Sequence, residues 1–163
     1  MTPLVIVDMQ PIFSAANDDK LIKNIQRQIL LAKRRHAWIF FIEWGPDYHW
    51  EDGCPTFCDL TDLTKGYDKV RVLEKYDNDG SPELVEQLNI LQLKPRTLRL
   101  CGVCTDACVY ATMSGLVDDY NGEFQVDLLM DCCNSTTSKK DAIGYVQEYV
   151  DRHPMGNQIR LVE

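Results

Sequence analysis

The chain has 163 residues, of which 45% are hydrophobic, and its formal net charge is −8 with a pI near 4.8. A chain of this length can bury one hydrophobic core, so we expect a single domain over residues 1–163. No apolar run is long enough to cross a bilayer, and an acidic chain as a whole offers little to phosphate backbones or anionic lipids. These features argue against a membrane protein or a nucleic-acid-binding protein and favour a small-molecule substrate.

The cysteines and the first residues bear on the cellular compartment. The chain has seven cysteines, an odd number with no regular spacing, which argues against a disulfide framework. The first apolar block, residues 4–7, begins without a basic leader or a small-residue cleavage site before it. We therefore expect a cytoplasmic protein with reduced thiols.

Short runs rich in Val, Ile and Leu alternate with longer stretches of helical period, a pattern typical of βαβ units around a parallel sheet. In chain order the pattern predicts a strand at Leu4–Val7, a helix capped near Asp18 or Asp19, strands at Trp38–Ile42 and Val70–Leu73, a helix that opens at Ser81, a strand at Thr97–Leu100, a helix over Thr105–Tyr120, a strand at Val126–Met130, a helix over Ser138–Val150 and a strand at Ile159–Val162. Residues 45–67 are irregular and too long for a simple connection, which is typical of a loop that serves a site. The sequence thus predicts an α/β fold, a three-layer α/β/α sandwich with a Rossmann-like, mostly parallel six-stranded sheet.

Ligands of such sheets bind outside the carboxyl ends of the strands, so side chains with chemistry at those ends are candidates for a site. Asp8 follows the first strand, where partial desolvation would make its carboxylate a useful base, although it could equally cap a loop. Lys75 comes just after the third strand and could hold Asp8 ionised, although a lysine there is more often a surface charge. The turn of residues 102–108 follows the fourth strand.

Cys108 lies in the first turn of the helix that is predicted to follow the fourth strand, where free N–H groups and the helix dipole favour a thiolate. An isolated cysteine in that place is more often a small packing residue. The combination of Asp8, Lys75 and Cys108 at three strand ends is what favours a catalytic site. Thr105 and Asp106 are expected to hold the turn by local hydrogen bonds.

Two segments carry a family resemblance. Residues 102–112 read GVCTDACVYAT and resemble the Gly-x-x-Thr-Asp-x-Cys-Val nucleophile motif of the isochorismatase-like cysteine hydrolases, which include isochorismatases, nicotinamidases and N-carbamoylsarcosine amidases. Residues 4–10 read LVIVDMQ and look like the family's opening strand with its acid, and Lys75 sits where the family has its lysine. The resemblance spans the whole chain in order and spacing.

The resemblance implies a cysteine hydrolase that cleaves a small-molecule amide or related C–N bond, other than a peptide bond, through a thioester on Cys108. It implies Asp8 as acid/base and Lys75 as charge partner. It also implies a cis peptide at Val103–Cys104, with the N–H groups of Cys104 and Cys108 as an oxyanion hole. The expected substrate pocket includes four side chains, which are Gln10, Phe13, Trp44 and Tyr76.

Metal binding and assembly are also suggested by the resemblance. Nicotinamidases carry a metal site after the second strand, and Asp47 with His49 is suggestive, but the family's later histidines are missing, so no metal or other cofactor is expected. Homo-oligomers are common in the family, and aromatic residues of the long loop could form part of an interface: Trp44, Tyr48, Trp50 and Phe57.

Two other classes of function remain open. Cys101 and Cys104 form a CxxC pair that could serve thiol redox chemistry or half of a zinc site, although Cys101 should lie in a buried strand where a thiol is inert. A binding protein that kept the fold without turnover is the other alternative. Cys132 and Cys133, after the predicted fifth strand, could line the cleft or belong to the core. Dinucleotide binding is not expected, since no Gly-x-Gly-x-x-Gly follows the first strand.

Overall fold

A computed structural model of the chain describes residues 1–46 and 54–163. In this part of the chain the elements are β1 Leu4–Val7, α1 Asp19–Arg34, β2 Ile39–Trp44, α2 Cys58–Thr61, β3 Val70–Lys75, α3 Ser81–Ile90, β4 Thr97–Val103, α4 Tyr110–Asp118, β5 Gln125–Asn134, α5 Lys139–Arg152 and β6 Ile159–Val162. A π-helical turn, Thr105–Val109, leads directly into α4. No helix within the described residues is both long and apolar enough to span a membrane.

The strands form one sheet in the order β3-β2-β1-β4-β5-β6, and every neighbouring pair is parallel. Helix α1 packs with α2, whereas α3 packs with α4, and α5 packs against the turn before α4. Right-handed crossovers place the first pair of helices on one face of the sheet and the other three on the opposite face. The predicted three-layer α/β/α fold is confirmed. The strand order reverses between β1 and β4, which is where such sheets open a crevice for ligands.

The amphipathic pattern of α1 explains how the connection from β1 to β2 packs against the sheet. Asp18 caps the helix by accepting hydrogen bonds from the N–H groups of Lys20 and Leu21, as the sequence predicted. Leu21, Ile25 and Ile29 are buried against the sheet at helical spacing. The helix thereby covers β1, whose four residues are all buried, and fixes the end of β1 that carries the site.

Four strands extend further than the sequence pattern predicted. Strand β2 runs to Trp44, β3 includes Lys75, β4 runs to Val103, and β5 continues past Asp131 to include Cys132 and Cys133. The prediction that these two cysteines follow the fifth strand was wrong. Asp131 breaks the apolar run in the sequence, but its side chain is exposed, and the next two residues return to the core.

Gly102 is where β4 passes closest to β1, and we expect Gly102→Ala to destabilise the fold by about 2–3 kcal/mol. Its φ is 129°, and a Cβ there would lie 2.1 Å from the carbonyl oxygen of Val7. Both backbone strain and a steric clash with backbone therefore oppose the substitution. Urea denaturation of the purified variant measures the change.

Gly144 provides the matched control for this substitution. It lies in α5, it is exposed, and a Cβ there would have no heavy atom within 4 Å. Gly144→Ala should therefore stabilise the protein by about 0.5–1 kcal/mol through helix propensity. Equal effects of the two substitutions would contradict the close approach at Gly102.

Candidate active site

Asp8 stands at the end of β1, at the point where the strand order reverses. Its backbone is left-handed, with φ of 53°, and its N–H donates to the carbonyl of Ile42 at 2.8 Å. The side chain is fully buried. Burial raises the pKa of Asp8 above its ordinary value, and this effect exceeds the opposing ones of the Lys75 ammonium, the Cys108 thiol and the Trp44 backbone. A carboxyl with a raised pKa is well suited to take and return a proton.

Lys75 is the last residue of β3 and reaches across the end of β2 toward Asp8. Its Nζ lies 3.1 Å from Oδ2 of Asp8, and neither side chain is accessible to solvent. The same ammonium donates to the carbonyl of Asp77 at 3.0 Å and lies 4.3 Å from the ring centroid of Trp44. Lys75 is therefore a buried ion-pair partner and not a surface charge, because the charge, the carbonyl and the aromatic face together replace its hydration.

Cys108 lies in the π-helical turn with only 5% of its surface exposed. Burial first, and then the negative charge of Asp8, raise its pKa to about 12, while Lys75 acts in the opposite direction. The helix end, which favours a thiolate, acts against these two effects. Desolvation and a neighbouring carboxylate outweigh the partial positive charge of a helix end, so the group at rest is a thiol.

The turn that presents Cys108 is tied to the end of β5 and to the segment that follows this strand. The Val103–Cys104 peptide bond is cis. Thr105 donates from its hydroxyl to the carbonyl of Asn134 at 2.8 Å. Because this partner is the last residue of β5, the Thr105 hydroxyl makes a long-range hydrogen bond and not the local one that the sequence predicted.

Asp106 makes a second connection to the same segment. Its carboxylate accepts hydrogen bonds from the hydroxyls of Ser135 and Thr137, the latter at 2.9 Å. Burial would raise the pKa of Asp106, but these two hydroxyls outweigh it and hold the pKa below its ordinary value. The carboxylate therefore stays ionised as an acceptor, and the turn and the loop before α5 form one hydrogen-bonded unit.

A fold with a buried Asp-Lys pair beside a thiol at the β1/β4 crevice can be compared with known proteins. The family model of the isochorismatase domain matches residues 2–151 of this chain. The chain belongs to the isochorismatase domain family. A comparison with curated proteins gave no match.

Solved structures of this family share the architecture across nearly the whole chain. A nicotinamidase from Staphylococcus aureus is 21% identical, with a TM-score of 0.75 and 100% of both chains covered. A nicotinamidase from Bacillus subtilis is 20% identical, with a TM-score of 0.74 and coverage of 98% of this chain and 99% of the other. An N-carbamoylsarcosine amidase from Thermoplasma acidophilum is 20% identical, with a TM-score of 0.70 and coverage of 91% and 92%. At these identities the likeness shows a common fold.

The four expected pocket residues of this isochorismatase-domain chain differ in their surroundings. Gln10 is buried, and its side-chain amide donates hydrogen bonds to the carbonyls of Trp44 and Cys54 and accepts one from the N–H of Trp44. It thereby joins the ends of β1 and β2 to the loop after β2. Trp44 faces the Lys75 ammonium, and Phe13 is half-buried against the core. Tyr76 is 64% exposed, and its hydroxyl donates to Glu74 at 3.1 Å.

The suggested metal ligands Asp47 and His49 lie outside the described residues, as do Tyr48 and Trp50 of the expected interface. In residues 1–46 and 54–163, no group of three or more His, Cys, Asp and Glu side chains is arranged to hold a metal ion.

Three of the remaining thiols are buried, those of Cys101, Cys132 and Cys133, whereas the thiol of Cys104 is half-buried and close enough to Asp8 for that charge to raise its pKa. All seven cysteines are free. Burial raises the pKa of Cys101 well above its ordinary value, and raises that of Cys132 to about 11 and that of Cys133 to about 12. Thiolate chemistry at Cys101 is thereby disfavoured, which weakens the redox interpretation of the CxxC pair.

Asn78 is a residue of the site that sequence reasoning missed. Its Oδ1 lies 3.6 Å from Sγ of Cys108, and the residue is exposed. It lies three positions after Lys75 in the short loop between β3 and α3. That position was the available signal, but a single polar residue in a loop carries no periodic pattern.

Proposed function

We propose that this chain is a cysteine hydrolase that cleaves a C–N bond of a small amide, with Cys108 as nucleophile, Asp8 as acid/base and Lys75 as charge partner of Asp8. The observation that carries the proposal is the buried Asp8–Lys75 pair, 3.1 Å apart, beside a buried thiol. Burying two charges in a stable fold is costly and is commonly retained at functional sites.

The first step is a proton transfer that accompanies attack. At rest the pKa of Cys108 is about 12, so only about one thiol in 10⁵ is ionised at neutral pH. Asp8, whose pKa is raised, accepts the thiol proton as the sulfur bonds to the amide carbonyl carbon. The negative charge then passes from the Asp8 carboxylate to the former carbonyl oxygen. The N–H groups of Cys104 and Cys108 are proposed to receive that oxyanion.

The second step breaks the C–N bond and returns the enzyme to rest. Asp8 gives its proton to the leaving nitrogen, the amine departs, and a thioester remains on Cys108. Water then gives a proton to Asp8 and its hydroxide adds to the thioester carbonyl. The C–S bond breaks, the acid leaves, and Asp8 returns its proton to the sulfur. Lys75, whose Nζ lies 3.1 Å from Oδ2 of Asp8, opposes the effect of burial and favours the ionised carboxylate between proton transfers.

Amide hydrolysis is supported by the family match and by the activities that the names of the similar structures state, which are those of nicotinamidases and an N-carbamoylsarcosine amidase. Seven free cysteines support a reducing compartment such as the cytoplasm. A homo-oligomer remains our expectation, and Trp44 and Phe57 are the two described residues of its expected interface.

The experiment that tests the proposal combines ammonia release with trapping of the intermediate. The wild-type protein is incubated with acetamide, benzamide, nicotinamide and N-carbamoylglycine, and ammonia is measured. Acid-quenched samples are then analysed by intact mass and peptide mapping. An acyl adduct on Cys108 that forms and decays with ammonia release is the expected result.

An adduct on the half-buried Cys104 or the exposed Cys58 would overturn the assignment of the nucleophile. Ammonia release without any adduct, even in rapid-quench samples, would argue for direct attack by water. No release from any amide would count against the proposed reaction class.

A further inference from the structure

We propose that the surface pocket between α4 and α5 binds a compact quaternary ammonium ion. The pocket has a volume of about 240 Å³ and is lined by six side chains, which are Tyr110, Tyr145, Glu148, Tyr149, Arg152 and His153. Aromatic faces and carboxylates are the two kinds of protein group that attract an organic cation. The lining shares no residue with the site of Asp8, Lys75 and Cys108, so this proposal does not depend on the proposed reaction.

Three tyrosine rings form the apolar walls of the pocket. Tyr110 is the first residue of α4, and its ring centroid lies 4.8 Å from that of Tyr145 and 5.5 Å from that of Tyr149. The ring planes of these two pairs are inclined by 59° and 90°, so the rings face in different directions. Tyr145 is 49% exposed, which leaves part of this aromatic surface open to solvent. Rings inclined in this way beside a cavity form an aromatic cage, the arrangement that recognises quaternary ammonium ions.

The ring of Tyr149 is fixed by two contacts. Its hydroxyl donates to the Asp118 carboxylate at 2.8 Å, and the His153 ring stacks on it with a centroid distance of 4.5 Å and an interplanar angle of 9°. Burial first, and then Asp118, raise the pKa of Tyr149, so the phenol keeps its proton and remains a donor. Donation to a carboxylate increases the electron density of the phenol ring, which strengthens the attraction of the ring for a cation.

The charges at the pocket favour a cation over an anion. Glu148 lines the pocket and Asp118 bonds to one of its walls, whereas Arg152 contributes one guanidinium. Arg152 is ion-paired with Glu148, and the two side chains are 77% and 54% exposed. Such a surface pair is weak, so a bound ion can take the place of Arg152 beside Glu148. The net charge of −8 also draws cations toward the protein surface.

The size of the pocket limits the ligand to a small group. A volume of about 240 Å³ lies below the range of about 300–1,000 Å³ that is typical of pockets for drug-sized ligands. A trimethylammonium group is compact, and it can place its methyl groups against the tyrosine rings while its charge lies near Glu148. Choline carries this group as a free ion, and trimethyllysine carries it on a peptide.

Titration of the full chain with choline, followed through the N-methyl signal by saturation-transfer NMR, tests the proposal. The neutral isostere of choline, 3,3-dimethylbutan-1-ol, should bind at least about 10-fold more weakly, because it lacks the charge. Tyr145→Leu should weaken choline binding about 5- to 10-fold, whereas Tyr145→Phe keeps the ring and should bind within about 2-fold of the wild type. Arg152→Gln frees the Glu148 carboxylate and should strengthen choline binding about 2- to 5-fold.

Two controls locate the bound ion and identify its source. Tyr76→Leu makes the same change at a tyrosine that is 64% exposed and lies outside this pocket, and it should leave the affinity for choline unchanged. A short peptide that carries trimethyllysine is titrated in parallel with choline. Tighter binding of the peptide would assign the pocket to a modified side chain of another protein, and tighter binding of choline would assign it to a free ion.

Four results would overturn the proposal. The first is the absence of saturation transfer to both choline and the peptide, and the second is equal binding of choline and its neutral isostere. The third is weaker choline binding in Arg152→Gln, which would show that the pocket prefers an anion. The fourth is a loss of choline binding in Tyr76→Leu but not in Tyr145→Leu, which would place the ion elsewhere on the protein.

Discussion

Asp8→Asn is expected to lose about 10²- to 10⁴-fold in kcat/KM for amides while Cys108 becomes easier to alkylate. The side-chain carboxamide of the variant cannot accept or return a proton. It can therefore neither protonate the leaving nitrogen nor take a proton from the attacking water. The negative charge of Asp8 is one of the causes that raise the pKa of Cys108, so its removal lowers that pKa and enlarges the thiolate fraction. Ammonia release and the pH dependence of iodoacetamide alkylation measure the two effects separately.

The opposite directions of these two effects are what identify Asp8 as an acid/base. Loss of a residue that merely supported the fold would also expose the buried Cys108 and speed its alkylation, so the two effects identify an acid/base only in a variant that keeps its fold. If alkylation of Cys108 slowed in parallel with turnover, the proposed role would be wrong. Near-UV circular dichroism of the variant serves as the control for folding, because removal of Asp8 leaves the buried Lys75 without its partner.

The fold was predictable from sequence because most of its elements have clear periods. The four residues of β1 are all apolar and all buried, and α1 shows buried residues at helical spacing after a capping Asp18. The short helix α2 was not predicted, because four residues in an irregular loop are too few to show a period. The end of β5 was also missed, since an exposed Asp131 in a strand looks like a loop residue in the sequence.

The members of the site were predictable from strand ends and from family resemblance, but its electrostatics were not. Asp8, Lys75 and Cys108 could be named because topology brings strand ends together. The protonation state of Cys108 depends on how deeply the thiol is buried and how close the carboxylate lies, and neither distance is encoded in local sequence. Asn78 was missed for the same reason, because its importance comes from a contact across 30 positions of the chain.

Lys75→Met is expected to lower the free energy of unfolding by about 3–5 kcal/mol, because it leaves the Asp8 carboxylate buried without its counter-charge. The double variant Asp8→Asn with Lys75→Met removes both charges and should lie within about 1 kcal/mol of the wild type. Urea denaturation of both single variants and the double variant gives the coupling. Lys65→Met is the matched control, since Lys65 is 76% exposed in its ion pair with Asp62 and its loss should change stability by no more than about 0.5 kcal/mol.

The pH dependence of the Lys75→Met variant provides an independent check on the same ion pair. The pKa of Asp8 in the folded state is raised above 3.8, so between 3.8 and the raised value the folded protein binds more protons than the unfolded chain. The contribution of Asp8 to stability is therefore lost as pH rises through that window. Lys75 is the largest of the effects that lower this pKa, so its removal raises the pKa further and extends the window to higher pH. The difference in the free energy of unfolding between wild type and Lys75→Met should consequently be small near pH 4 and grow toward pH 8. A difference that stayed constant with pH would show that lost packing, and not the unpaired carboxylate, causes the destabilisation.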